Sequence, residues 1–94
     1  MIEGFDVSGH ANTAPHGQDI VCAAVAALTQ TAALGLECHL QRSFKLDIAS
    51  GRLNLMLEGL PDQLTGAILE TMLLGLLEIE KIHPQVIRIS EHRR

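Results

Sequence analysis

From Leu40 to Leu57 the chain reads LQRSFKLDIASGRLNLML, and this stretch restricts the fold more than any other. Leu40, Phe44, Leu46 and Ile48 alternate with Gln41, Ser43, Lys45 and Asp47, the period that puts successive side chains on opposite faces of a strand. ASGR supplies a turn, and Leu53, Leu55 and Leu57 form the inner face of the returning strand. The two runs predict a hairpin with one apolar face and one wet face. That apolar face requires a second layer to cover it.

The rest of the chain supplies the layer and more sheet. GFDVS alternates Phe5 and Val7 against Asp6 and Ser8, and QVIRIS, after His83 and Pro84, reads as a last short strand. Between Asp19 and about Gly35, Ile20, Ala24, Leu28 and Ala32 recur every four residues, widened by Val21 and Val25. That spacing predicts a helix with Asp19 as its N-cap. A second helix is predicted over roughly Asp62 to Ile82, capped by Asp62, with Leu64, Ile68, Met72, Leu76 and Ile79 as its main stripe. The order is strand, helix, strand, strand, helix, strand. It predicts an α/β (α+β) two-layer sandwich, a mostly antiparallel sheet with both helices on one face. Leu74 and Leu77 fall outside the stripe, among Gly66, Glu70, Glu78 and Lys81, and a homodimer would bury them.

Ninety-four residues without repeats or linkers make a single domain, 1–94. Aromatic residues are 2% of the chain and the net charge is −4, with basic residues scattered except at the terminal HRR. Base stacking and phosphate binding are poorly served, so nucleic acid is not an expected partner. Glu3 stands where a signal peptide would be basic, and the apolar run MLLGLL, Met72 to Leu77, is too short to span a bilayer. Two cysteines without an export signal read as free thiols, which suits a cytoplasmic protein without membrane attachment.

The chemistry concentrates in SGHANTAPHGQDIVCAAVAAL, Ser8 to Leu28. Cys22 follows the Asp19 cap by three positions, in a first turn whose free N–H groups and macrodipole favour an anionic thiolate. His10 lies upstream across a loop, Gly9 to Gln18, whose glycines let it fold back, so an imidazole could hold the thiol proton. The competing reading is a small core cysteine, since Cys is among the most buried residue types. A metal site built from Cys22, Cys38, His10, His16 and His39 fits no zinc spacing, and none is expected. Cys38 and His39 read as strand residues on opposite faces, and His16, His83 and His92 as loop or surface residues. Asp19 is either a cap alone or a cap that also orients His10.

SGHA, HGQDIVCAAV and LTQTAALGLE, with the later LETMLLGLLEIEKIHPQVIRI, closely resemble the bacterial ribosomal-processing cysteine proteases over nearly the whole chain. The resemblance implies a small dimeric, cofactor-free cysteine endopeptidase, with Cys22 as nucleophile, His10 as general base and Asp19 as an accessory residue. It also implies a substrate: a short N-terminal extension of large-subunit ribosomal protein twenty-seven, cut after a Phe in an apolar segment. The chain departs from the family at Ala26, where a Ser is usual. It departs again at MIEGFDV, before which members generally have another strand and turn, so either the sheet lacks an edge strand or the start lies upstream. A non-catalytic protein that binds a ribosomal protein or assembly factor is the alternative.

Overall fold

A computed structural model describes residues 1–9, 18–49, 52–84 and 87–93. Its elements are β1 (Ile2–Gly9), α1 (Gln18–Leu34), β2 (Phe44–Ala49), β3 (Arg52–Leu57), α2 (Gln63–Ile82) and β4 (Ile87–Arg93), with a π-helical turn, Gly35–His39, extending α1. The strands form an antiparallel sheet in the order β2-β3-β1-β4, with β1 between β3 and β4. The architecture is the predicted α+β sandwich.

The alternation in β1 explains its central place. Phe5 and Val7 are buried with Leu36, Leu55, Leu69 and Leu76 in the core, while Asp6 points to the other face. The strand starts two residues earlier than GFDVS suggests, because of a bulge. Ile2 pairs with Arg93 and Gly4 with His92, so two steps along β1 match one along β4. The bulge resets the alternation, and Ile2 joins Phe5 in the core although they are three positions apart. Gly4 is required there by close approach. A Cβ would run into the Met56 sulfur and come 2.5 Å from the Leu55 carbonyl oxygen.

Both helices deviate from their predicted faces. In α1 the buried positions are Val21, Thr29 and Ala32, followed by Leu36 in the π turn, whereas Ile20 is 73% exposed. The helix is apolar on several sides, so period alone cannot choose between faces 100° apart. By length and composition alone Ile20–His39 could cross a bilayer, a test that the core helix of a soluble protein also passes. In α2 the buried positions are Thr65, Leu69, Met72, Leu73 and Leu76, and Leu64 is 56% exposed. The stripe is rotated from the predicted one because α2 packs on α1 as well as on the sheet. Gly75 permits that approach, since a Cβ would stand 3.0 Å from Leu28 Cδ1.

Cys38 and His39, predicted in a strand, lie instead in the π turn, and both are exposed. The helix runs past Gly35 because Leu36, fully buried, anchors the next turn in the core. The Leu40 and Arg42 amides then donate to the carbonyls of Gly35 (2.9 Å) and Leu36 (2.7 Å). Gln41, at φ 58°, turns the chain into β2, which therefore begins at Phe44 rather than Leu40. Asp62 caps α2 as predicted: its carboxylate accepts from the amides of Leu64 (2.9 Å) and Thr65 (3.0 Å), and Thr65 Oγ1 accepts from the Asp62 amide. Arg42 donates to the second Asp62 oxygen at 2.6 Å, tying the end of α1 to the start of α2.

The open face of the sheet is polar and centres on Asp6. Its carboxylate accepts from Asn54 Nδ2 on β3 (2.8 Å), His92 Nε2 on β4 (2.8 Å) and, more weakly, Arg52 Nη2 (3.4 Å). The Asn54 amide foremost, then His92, holds the Asp6 carboxyl below its ordinary value of 3.8. A carboxyl with a lowered folded-state value contributes stability that is complete above the unfolded value and lost as pH falls through the folded one. Asp6→Ala is therefore expected to lose roughly 1 kcal/mol at pH 7. Urea titrations should show that difference shrinking below about pH 4. A difference that stayed constant down to pH 2 would show that the carboxylate does not lock the three strands.

Candidate active site

Cys22 occupies the fifth position of α1, because the helix begins at Gln18 rather than after Asp19. Gln is a good helix former, and nothing in its chemistry stops the helix at Asp19. Asp19 is therefore a helical residue near the N-terminus, not the N-cap, and its side chain lies outside the described part of the structure. The Cys22 amide is placed to bond within the helix rather than to serve as a free first-turn donor. Donors for a developing oxyanion must come from the turn before it.

The Cys22 side chain is half-buried and turns toward the sheet, on the same face as Val25, Ala26 and Thr29. Opposite them stand Ile48, Leu53 and Val7, a row of cross-strand partners on β2, β3 and β1, with Ile87 of β4 closing one side. Together they enclose a cleft of about 210 Å³. The cleft exists because α1 carries small side chains here, Cys22 and Ala26, where a Leu would have filled the gap. Thr29, fully buried, satisfies its hydroxyl by donating to the Val25 (2.9 Å) and Ala26 (3.2 Å) carbonyls, so it presents no free polar group to the cleft. Pockets for cofactors usually exceed about 300 Å³. This one suits a single large apolar side chain of a longer ligand, held beside a thiol.

His10 lies outside the described residues, as do residues 11–17 of the predicted substrate loop. The two ends of that segment are described. Ser8 lines the cleft and Gly9 pairs with Ile87, another lining residue. The chain resumes at Gln18, one turn before Cys22. Ser8, two positions before His10, and the helix bearing Cys22 therefore border one cleft. Ala26 lines it too, so a hydroxyl at that position would share the cleft with the thiol. Among the described residues no three His, Cys, Asp or Glu side chains gather as a metal would need.

Sequence reasoning did not find the walls of the cleft. Ile48, Leu53 and Val7 were legible as inward-facing strand residues, but nothing local marks them as neighbours of Cys22. The signal that could have raised the possibility was the density of small residues in CAAVAA, which leaves a helix face without bulk.

A family model described as Cysteine protease Prp matches residues 1–88. Among solved structures, SMU.848 from Streptococcus mutans is 28% identical, with a TM-score of 0.73 over 89% of this chain and 78% of that one. The fold is also similar to that of the essential ribosomal processing protease Prp from S. aureus, solved with a substrate peptide (23% identity, TM-score 0.79) and with a covalently linked product peptide (24%, 0.77). Each covers 92% of this chain and 83% of its own. No curated protein matches the chain.

The two thiols have opposite settings. Cys38 is the more exposed, but it sits beside Glu37 at the negative end of its helix, whereas Cys22 lies near the positive end. If the charge at the helix ends governs reactivity, iodoacetamide should modify Cys22 first despite its lower exposure. Mass spectrometry after brief labelling reads the order directly. Cys38 reacting first would show access alone in control and Cys22 unactivated.

Proposed function

The chain belongs to the cysteine protease Prp family, and on that premise we propose that it is a cytoplasmic endopeptidase that removes a short N-terminal extension from a large-subunit ribosomal protein. The observation that carries this reading is the half-buried Cys22 beside an apolar cleft, within the stretch that the family model matches. The resemblance of the sequence narrows the substrate to ribosomal protein twenty-seven, cut after a Phe. The relative from S. aureus, described as a ribosomal processing protease, supports a substrate of this kind.

In the proposed mechanism His10 takes the thiol proton and the Cys22 thiolate attacks the scissile carbonyl carbon. The carbonyl oxygen becomes an oxyanion, stabilised by N–H donors at the start of α1. As the tetrahedral intermediate collapses, the C–N bond breaks and His10 returns the proton to the leaving amine. Water, deprotonated by His10, then hydrolyses the thioester, releasing the new carboxylate and restoring the thiol. Asp19 is an accessory to this pair. No cofactor takes part, and the net charge of −4 gives no attraction for nucleic acid.

The working form in this proposal is a homodimer. Leu74 and Leu77 on α2 are 67% and 42% exposed, and α1 leaves Ile20 and Leu34 in water. A helix layer with this much uncovered apolar surface is suited to a second copy.

Incubation with a precursor carrying the apolar, Phe-containing extension tests the function, since a protease shortens it and a binding protein only retains it. Cys22→Ala should abolish cleavage while the circular dichroism spectrum stays that of the wild type. His10→Ala should slow cleavage by roughly 10²–10⁴-fold without eliminating it. Undiminished turnover in either variant would remove that residue from the mechanism.

The dimer is tested separately. Changing Leu74 and Leu77 together to Glu should give a monomer or aggregates in sedimentation velocity. An unchanged dimer in the double variant, or a monomeric wild type, would overturn this assignment.

A further inference from the structure

The Cys22 cleft is continuous with an apolar strip that no helix covers. Ile48 and Ala49 line the cleft and belong to β2, an edge strand. Every residue from Lys45 to Ala49 is exposed, including Leu46 at 40% and Ile48 at 66%. Their partners on β3, Leu55 and Leu53, are buried and half-buried on the same face of the sheet. Among the described residues, the helix layer therefore shelters the inner face over β3 and over Phe44 and leaves it bare over Leu46 and Ile48.

We propose that this strip is the docking platform for an extended apolar segment of the substrate peptide. This inference rests on the protease reading above. The peptide takes the place that a third helix would hold, with its scissile carbonyl at Cys22 Sγ and neighbouring side chains against Ile48 and Leu46. The spacing fits. Side chains two apart on a strand repeat at roughly 6.6 Å, the same repeat as alternate side chains of an extended peptide. The chemistry fits as well. Lys45 and Asp47 alternate with the strip and point to the other face, and Arg52 is the one charged residue among those described that line the cleft, so a basic peptide residue over Leu46 and Ile48 would lose hydration without gaining a partner. The similar S. aureus protein, solved with a substrate peptide and with a covalently linked product peptide, has a fold of this kind that accepts a peptide. The dimer surface proposed above lies on the helices, so it does not compete for β2. Ile48, which belongs both to the cleft and to the strip, is the residue that selects apolar sequence beside the cut.

The test uses the full chain and a short fluorescein-labelled peptide rich in Leu and Val around one Phe. Binding is read by anisotropy on the Cys22→Ala protein, and cleavage on proteins that keep Cys22. Adding Ile48→Glu to Cys22→Ala should weaken binding roughly tenfold or more, with a smaller loss for Leu46→Glu. Leu64→Glu, at an exposed apolar site at the N-terminal end of α2, beside the π turn and away from Cys22, should leave it unchanged. On proteins with Cys22, Ile48→Glu should raise KM for the peptide, and Ile48→Leu should bring it back toward the wild-type value. Equal binding and KM with and without Ile48→Glu, or no binding to Cys22→Ala at all, would overturn the platform. If the peptide binds in an Ile48-dependent manner and is never cut, the platform stands and the protease reading fails. If it is cut with no dependence on Ile48, the reverse holds.

Discussion

The burial of Phe5 and Val7 under both helices is the contact on which the rest of this structure depends. It makes β1 the strand between β3 and β4, and it brings Leu36 of the π turn and Leu69 and Leu76 of α2 into one core. The opposite face of the same strand carries Asp6, whose carboxylate joins β3 and β4 through Asn54 and His92. One strand thus organises both faces of the sheet. Its C-terminal end, at Ser8 and Gly9, reaches the cleft beside Cys22.

Packing along α1 is uneven, and the uneven part is where the chemistry is. Toward its C-terminus Ala32 and Leu36 are locked into the main core, while near its N-terminus Val21 meets Ile87 in a separate small cluster. Between them, Cys22 and Ala26 face Val7, Leu53 and Ile48 across a gap that no described side chain fills. A cavity lined this way forgoes contacts that a tighter helix face would have made. The same small side chains leave the thiol reachable from outside.

The helix layer is narrower than the sheet. Two helices shelter β1, β3 and β4, and α2 is fastened at its start by Asp62 with Arg42 and two turns on by a two-point Arg93–Glu70 pair where β4 ends. Glu70 is held below its ordinary value chiefly by that Arg93 contact. These ties set the helices over one side of the sheet. Leu46 and Ile48 of β2 are left in water next to the cleft, while Phe44 at its start packs on the core.

Much of this was legible in the sequence, because strand alternation and helix capping are local. The hairpin about ASGR, the inward Phe5 and Val7, both helices and the Asp62 cap follow from residues a few positions apart, and the Gly-His-Ala and Asp-Ile-Val-Cys segments pointed to the family. Tertiary structure decided the rest. α1 is apolar on several sides, so only packing chose Val21 over Ile20 as its buried residue. The bulge that admits Ile2 to the core is a matter of register between strands, which no single strand encodes. Cys38 left its predicted strand because burying Leu36 drew one more turn out of the helix. The cleft itself required Cys22, Leu53 and Ile48 to meet from separate elements. Periodicity tells which way a side chain points along its own element, and only the packing of elements tells what it points at.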